Sequence, residues 1–480
     1  MPTLFQFALI GYYTLAVLTI GHILRRRREP TAMLAWILTI LLLPVAGIIL
    51  YGLLGENRVR RRASRRRKRL SVETARISNW AESSLRGDAP GGAAALPPDL
   101  APVEDIGRRL SHFPATGCND VRIYEEANET YAAIEESIRS AVHHVHLEYY
   151  IWQPDETGVH FRDLLVEKAR QGVECRLLLD AVGCWNLGSR FLKPLIDAGV
   201  SVEFFLPIYK LRKRWSPHLR NHRKLIVVDG CEGFLGSQNI GDEYRGRLKR
   251  LSPWYDTHLR IRGPAALFLQ QIFADDWLFA TRESLDLGAY FAAPTACGDT
   301  IVQILPTGPD SEANVLGSVL FSAVSCAKSS IRIATPYFVP DAGLLMALKF
   351  AAYRGVRVQL VIPTRTDAPL VLWAGRSYYA ELISSGVEIF EYPHGVLHSK
   401  IATIDDRWCM VSSANMDIRS FRLNFELTAI LYDEDATRRI GAFIERRLER
   451  AAEVTAREAW NRPLHQQLLE GAARLFSPLL

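Results

Sequence analysis

No two cysteines stand at a spacing that builds a zinc site or a disulfide framework. The seven (Cys118, Cys175, Cys184, Cys231, Cys297, Cys326 and Cys409) are scattered singly along 480 residues, which points to a reducing compartment and no structural metal. Acidic residues are nearly missing where the basic ones gather. Residues 1–70 hold thirteen Arg or Lys against Glu29 and Glu56 alone, so the formal net charge of +6 conceals a net acidic remainder. A body without excess positive charge argues against nucleic acid as a partner, because phosphate backbones are held by Lys and Arg.

Charge of either sign is absent from Leu4 to Leu24, and again from Met33 to Leu54. As a helix rising about 1.5 Å per residue, each stretch would span roughly 30 Å, the thickness of a bilayer core. Two transmembrane helices are therefore expected, or else a hairpin that enters the membrane without crossing, which Pro44 and Gly47 would tolerate. No basic residue precedes the first apolar stretch and a second follows it, which argues against a cleaved signal peptide. Nine basic residues between Arg58 and Arg69 outnumber the four in the loop Arg25–Arg28, so the positive-inside rule puts everything after them in the cytoplasm. There the Arg and Lys would also attract anionic headgroups.

Residues 86–102 are rich in Pro and Gly and read as a linker. Beyond them the chain repeats itself. Val145-His-Leu-Glu-Tyr-Tyr-Ile-Trp corresponds to Ile331-Arg-Ile-Ala-Thr-Pro-Tyr-Phe, and each run is followed by Pro and Asp. Gly172-Val-Glu-Cys-Arg-Leu-Leu-Leu then matches Gly355-Val-Arg-Val-Gln-Leu-Val-Ile, with helical periodicity between the two strands of each pair. Strand, helix, strand in each half predicts an α/β fold with mixed or parallel sheets. The expected organisation is a membrane anchor at 1–70, a linker at 71–102, and duplicated halves at 103–297 and 298–480.

A further repeat carries chemistry. His222-Arg-Lys224-Leu-Ile-Val-Val-Asp229 and His398-Ser-Lys400-Ile-Ala-Thr-Ile-Asp405 share the spacing H-x-K-x4-D, and at matching offsets follow Gly236-Ser237-Gln-Asn239 and Ser412-Ser413-Ala-Asn415. In a strand, residues i and i+2 face one way, so each His and Lys would emerge together. Displacement at a phosphodiester needs a nucleophile, a proton donor for the leaving alkoxide, and donors around the non-bridging oxygens. Two His, two Lys and two Asn meet that list.

This H-x-K-x4-D-x6-G-S-x-N element resembles the signature of the phospholipase D superfamily over essentially all of 103–480, with Ser412 departing from the usual Gly. More narrowly, Asn221-His-Arg-Lys, Asp256-Thr-His258 and Asn415-Met-Asp-Ile-Arg-Ser-Phe-Arg-Leu-Asn-Phe-Glu426, together with the apolar anchor, resemble the bacterial cardiolipin synthases. The resemblance implies one active site shared by both halves, in a multi-pass protein of the bacterial inner membrane with cytoplasmic catalytic halves. One histidine would attack phosphatidylglycerol, glycerol would leave, and a second phosphatidylglycerol would accept the phosphatidyl group to give cardiolipin. A hydrolase of the same superfamily, or a transferase to another alcohol, fits the motifs as well.

By the same resemblance Lys224, Lys400, Asn239 and Asn415, with Ser237 and Ser413 in the same turns, would surround the phosphate, with no metal and no cofactor. His222 is the expected nucleophile and His398 the acid and then base. Glu426 is expected to orient His398, and Asp256 to orient His222; each could instead pair with a nearby Arg. Asp229 and Asp405 complete the catalytic motifs, yet should orient the fold rather than touch substrate. His143, His144 and His146, and the aromatic pair Trp254-Tyr255, read as packing. Basic residues near Ile208–Pro217, present in the first half alone, suit either a lipid contact or a solvated loop.

Overall fold

The computed structural model describes residues 4–25, 30–43, 45–55, 96–207, 219–285, 287–293, 295–311 and 314–479. The Arg-rich segment at 58–69, most of the linker, the basic stretch at 208–217 and His218 lie outside them.

Strands form at the apolar runs, and they come in two matching sets. The first comprises β1 (Thr116–Tyr124), β2 (His144–Tyr149), β3 (Glu174–Asp180), β4 (Ser201–Phe205), β5 (Lys224–Val228), β6 (Glu232–Gly236) and β7 (His258–Arg262). The second comprises β8 (Thr300–Thr307), β9 (Ser330–Ala334), β10 (Arg357–Pro363), β11 (Glu388–Tyr392), β12 (Ile401–Ile404), β13 (Trp408–Ser412) and β14 (Asn424–Tyr432). Their spatial orders are β1-β7-β6-β5-β2-β3-β4 and β8-β14-β13-β12-β9-β10-β11, joined by antiparallel pairing of β1 with β8. Within each set three strands run parallel and the others antiparallel, so the sheet is mixed. The duplication read from sequence is thus a duplication of topology.

The first parallel crossover of each half uses the helix that periodicity predicts. Glu156–Arg170 joins β2 to β3, and Ala342–Tyr353 joins β9 to β10. The Asp of each Pro-Asp pair caps its helix: Asp155 accepts from the Gly158 N–H at 2.9 Å and Asp341 from that of Leu344 at 3.0 Å. Amphipathic helices cover one sheet face in each half, giving each its own core. A third core is common to both: Leu225, Val227, Leu235 and Leu259 share it with Ile401, Val411, Leu427 and Ala429, under the nearly fully buried helix Ala265–Thr281.

The two expected membrane-crossing helices are corrected: among the described residues, no helix is long and apolar enough to cross a membrane. The first, Leu4–Arg25, is 22 residues long and carries Gln6, Tyr12, Tyr13, Thr14, Thr19 and His22 among its apolar residues. The second is a 13-residue helix, Pro30–Leu42, about 20 Å long by its rise. The chain then folds back, with the Gly47 N–H donating to the Leu43 carbonyl at 2.7 Å. A Cβ at Gly47 would lie 2.4 Å from the Thr39 carbonyl oxygen, so only glycine allows this approach. The result is a hairpin, tied by the Tyr12 hydroxyl to the Ile40 carbonyl at 2.6 Å.

Candidate active site

Each motif histidine is delivered to the opposite half by a short parallel strand. Arg220–Asn221 pairs with Asn424–Phe425, and Val396–Leu397 pairs with Trp254–Tyr255. The His222 N–H then donates to the Phe425 carbonyl at 2.9 Å, and the His398 N–H to the Tyr255 carbonyl at 2.8 Å. One residue further along each receiving strand stands a buried carboxylate. His222 Nδ1 meets Glu426 Oε2 at 2.9 Å, and His398 Nδ1 meets Asp256 Oδ1 at 2.7 Å. Both carboxylates are essentially buried, whereas the histidine side chains keep 12% and 13% of their surface. With Nδ1 committed to a carboxylate, a neutral imidazole carries its proton there and leaves the Nε2 lone pair free.

The lysines begin or precede the next strand. Each reaches back to the carbonyl of its own motif histidine at 2.6 Å, Lys224 to His222 and Lys400 to His398. Burial pulls Lys224 down to about 7 and Lys400 to about 8, against the pull of Glu426 and Asp256, and the two ammonium groups lower Lys224 further by mutual repulsion. Burial also lowers both histidines, His222 to about 4 despite Glu426. The carboxylates go the other way: burial opposes ionisation, but His398, Lys400 and Ser237 hold Asp256 well below the usual range, and His222, Lys224 and Ser413 do so for Glu426. Both histidines, both lysines and both carboxylates are thus perturbed together, with partners drawn from both halves.

These groups suit attack on an anionic phosphodiester: two lone-pair nitrogens, two ammonium groups and a water-poor setting. Residues 134–250 and 320–448 match the family described as "Cardiolipin synthase, PLD-like domain". A cardiolipin synthase of Alkalihalophilus pseudofirmus is 38% identical over 98% of this chain and 93% of the relative. One of Geobacillus sp. (strain WCH70) is 37% identical over 94% and 90%. The chain belongs to the cardiolipin synthase family. The hairpin also matches a family, "Phospholipase_D-nuclease N-terminal", at residues 14–56. Among solved structures, the phosphatidylserine synthase of Haemophilus influenzae Rd KW20 shares the fold, with a TM-score of 0.60 at 16% identity over 79% of this chain and 99% of that one.

For this member of the cardiolipin synthase family, several residue roles differ from those expected. The carboxylate pairing is crossed: Glu426 serves His222 and Asp256 serves His398, because the short parallel strands carry each histidine across the seam. Ser237 and Ser413, expected beside the phosphate, are engaged by the two carboxylates. Their hydroxyls donate at 2.5 Å to Asp256 Oδ1 and Glu426 Oε2, and accept from the backbone N–H groups of Thr257 and Leu427. The motif aspartates are fold anchors and stand away from the catalytic groups. Asp229 accepts from the N–H groups of Val142, His143 and His144, and Asp405 from those of Lys328, Ser329 and Ser330. Asn239 and Asn415 are both buried in the expected turns; the Asn239 amide donates to the Tyr244 hydroxyl at 3.2 Å and its oxygen accepts from the Ile151 N–H.

Three residues of the site escape a reading of the motifs. Trp254, taken above as packing, donates its indole N–H to Asp256 Oδ2 at 2.8 Å and lies against the His398 ring at 5.0 Å. Asn424 does the corresponding task in the other half, donating to Glu426 Oε1 at 3.1 Å. Tyr150 packs edge-on against His222 at 4.7 Å, with Lys224 Nζ over its ring. The signal for the first two was available: each stands two residues before its carboxylate, hence on the same strand face. His144 and His146 share the Gln270 side chain inside the first half, which is packing as expected.

Proposed function

We propose that this chain is a cardiolipin synthase that moves a phosphatidyl group between two phosphatidylglycerol molecules through a phosphohistidine. The observation that carries this is the pair of histidine–carboxylate couples, each formed across the two halves, beside two buried lysines. Nε2 of one histidine attacks phosphorus, and the P–O bond to glycerol breaks. The other histidine, protonated on Nε2, gives its proton to the departing glycerol oxygen. It then takes a proton from the hydroxyl of the second phosphatidylglycerol, whose oxygen displaces the histidine.

His222 is our nucleophile. Burial keeps it neutral, down to about 4, whereas His398 has Asp367 as an additional carboxylate that favours its protonated form. Lys224, Lys400 and the amides of Asn239 and Asn415 would hold the non-bridging oxygens. The hairpin exposes Val17, Leu18 and Leu42 by 65–74% of their surface, and with the Arg-rich segment after it would keep the body on a bilayer. The division into anchor, linker and halves at 103–297 and 298–480 belongs to the same proposal.

Detergent-solubilised protein given phosphatidylglycerol alone should yield cardiolipin and free glycerol. Phosphatidic acid as the sole lipid product would make it a hydrolase, and dependence on a nucleotide-linked lipid would place it outside this mechanism.

A further inference from the structure

The two histidine–carboxylate couples are built to one plan from different parts. In each, one carboxylate oxygen receives the histidine and the serine hydroxyl, and the other receives a side-chain N–H from the residue two positions earlier. Glu426, the longer acid, is met by the short amide of Asn424. Asp256, the shorter acid, is met by the long indole of Trp254. Reach is conserved while the residues are exchanged.

The exchange has a consequence on one side alone. An amide can only hold the carboxylate, but the indole also lies against the His398 ring and packs edge-on against Tyr244, at 5.1 Å and 87°. The Tyr244 hydroxyl in turn accepts from the Asn239 amide. Trp254 therefore touches the second motif's histidine, that histidine's carboxylate, and the aromatic ring that seats the first motif's asparagine.

We propose that Trp254 is a positioning residue of the transfer reaction, fixing Asp256 and the His398 ring through its N–H and face, and coupling them to Asn239 through Tyr244. This rests on the two-histidine reading above. The groups facing this unit are Lys400, Asp256 and Asp367 around His398, and Lys224, Lys400, Tyr131, Tyr244 and His258 around Asp256. A neutral donor on Oδ2 draws charge away from the carboxylate. Without it Asp256 attracts an imidazolium more strongly, so His398 should hold its proton to higher pH.

The test uses the full chain with phosphatidylglycerol in mixed micelles. Trp254→Phe keeps a ring but loses the donor. It should lower kcat about tenfold with KM nearly unchanged, and move the limb that reports protonated His398 to higher pH by on the order of one unit. Trp254→Asn alone leaves an amide too short for an aspartate and should do the same. The pair Trp254→Asn with Asp256→Glu rebuilds the couple that the other half uses, and should return the limb to its wild-type position and recover most of kcat. A Trp that merely fills space would show no such rescue and no shift of the limb. Unchanged kcat and profile in Trp254→Phe would overturn the proposal, as would a Trp254→Phe loss confined to thermal stability. If the paired variant does not fold, the Trp254→Phe profile decides. Activity persisting in His398→Ala would instead remove the two-histidine reading, whatever Trp254 does.

Discussion

At the scale of single residues, the carboxylates decide whether a histidine can work. Each fixes the tautomer by accepting from Nδ1 and steadies the imidazolium that forms on proton transfer. Glu426→Gln and Asp256→Asn should each cost roughly 10²–10⁴ in kcat, read from initial rates of cardiolipin formation. Because the pairing is crossed, the phosphohistidine on His222 should form slowly in Glu426→Gln and normally in Asp256→Asn when the donor lipid carries a leaving group that needs no proton. The lysines make a separate prediction about protons. Burial pulls Lys224 down to about 7 and Lys400 to about 8, so at pH 8 both are partly neutral. A bound anion favours the charged forms and raises both values, so binding must take protons up. Calorimetry with inorganic phosphate or tungstate in buffers of different ionisation enthalpy should report net uptake near pH 8 and little near pH 6. Net release would contradict the placement of the lysines against the phosphate.

At the scale of elements, the two turns after the motifs solve one problem in two ways. Gly236 ends β6 at a φ of +155°, and a Cβ there would lie 2.4 Å from the Thr257 carbonyl oxygen and 2.7 Å from His258 Nδ1. At the matching point β13 ends in Ser412, whose neighbour across the pair is the smaller Thr428, and the two hydroxyls meet at 2.6 Å. Ser412 also accepts from the Ala414 N–H, so the departure from glycine holds the turn. Gly236→Ser should therefore destabilise by about 1–3 kcal/mol, and Ser412→Gly by about 1 kcal/mol for the lost hydroxyl contacts, both measured by denaturant titration. The strands, crossover helices and duplication were legible because apolar period and Pro-Asp caps are local signals. The crossing of carboxylates was not. Asp256 and Glu426 occupy matching positions in the two halves, so the sequence is nearly symmetric about which histidine each serves, and only the short strands at Arg220–Asn221 and Val396–Leu397 break the tie. Trp254 is hidden for a related reason: composition marks an aromatic as packing, and only its offset of two from a carboxylate marks it as a donor.

At the scale of the molecule, the halves are one cooperative body. Arg223, between the first motif's His and Lys, is buried and donates to the Glu426 and Thr307 carbonyls of the second half while pairing with Asp276 of the first. Burial and Asp276 hold Glu148 far above the ordinary carboxylate range. Arg223→Met would strand Asp276 without its cation and should cost about 3–5 kcal/mol, with one unfolding transition rather than two, since the common core draws on both halves. The same interlock fixes the number of active sites. A lone motif supplies one histidine for two roles, and neither histidine keeps its carboxylate unless the other half is present. His222→Ala and His398→Ala should therefore each abolish turnover, with the double variant no worse than either. They should differ in one respect. His398→Ala, offered a phosphatidyl donor with a good leaving group, still has its nucleophile and should accumulate a phosphatidyl adduct on His222, seen by mass spectrometry of digests kept from acid. His222→Ala should form none. About half the wild-type rate surviving in each single variant would mean two independent sites. An adduct on His398 in His222→Ala, with none in the converse, would exchange the two roles and leave the shared site standing.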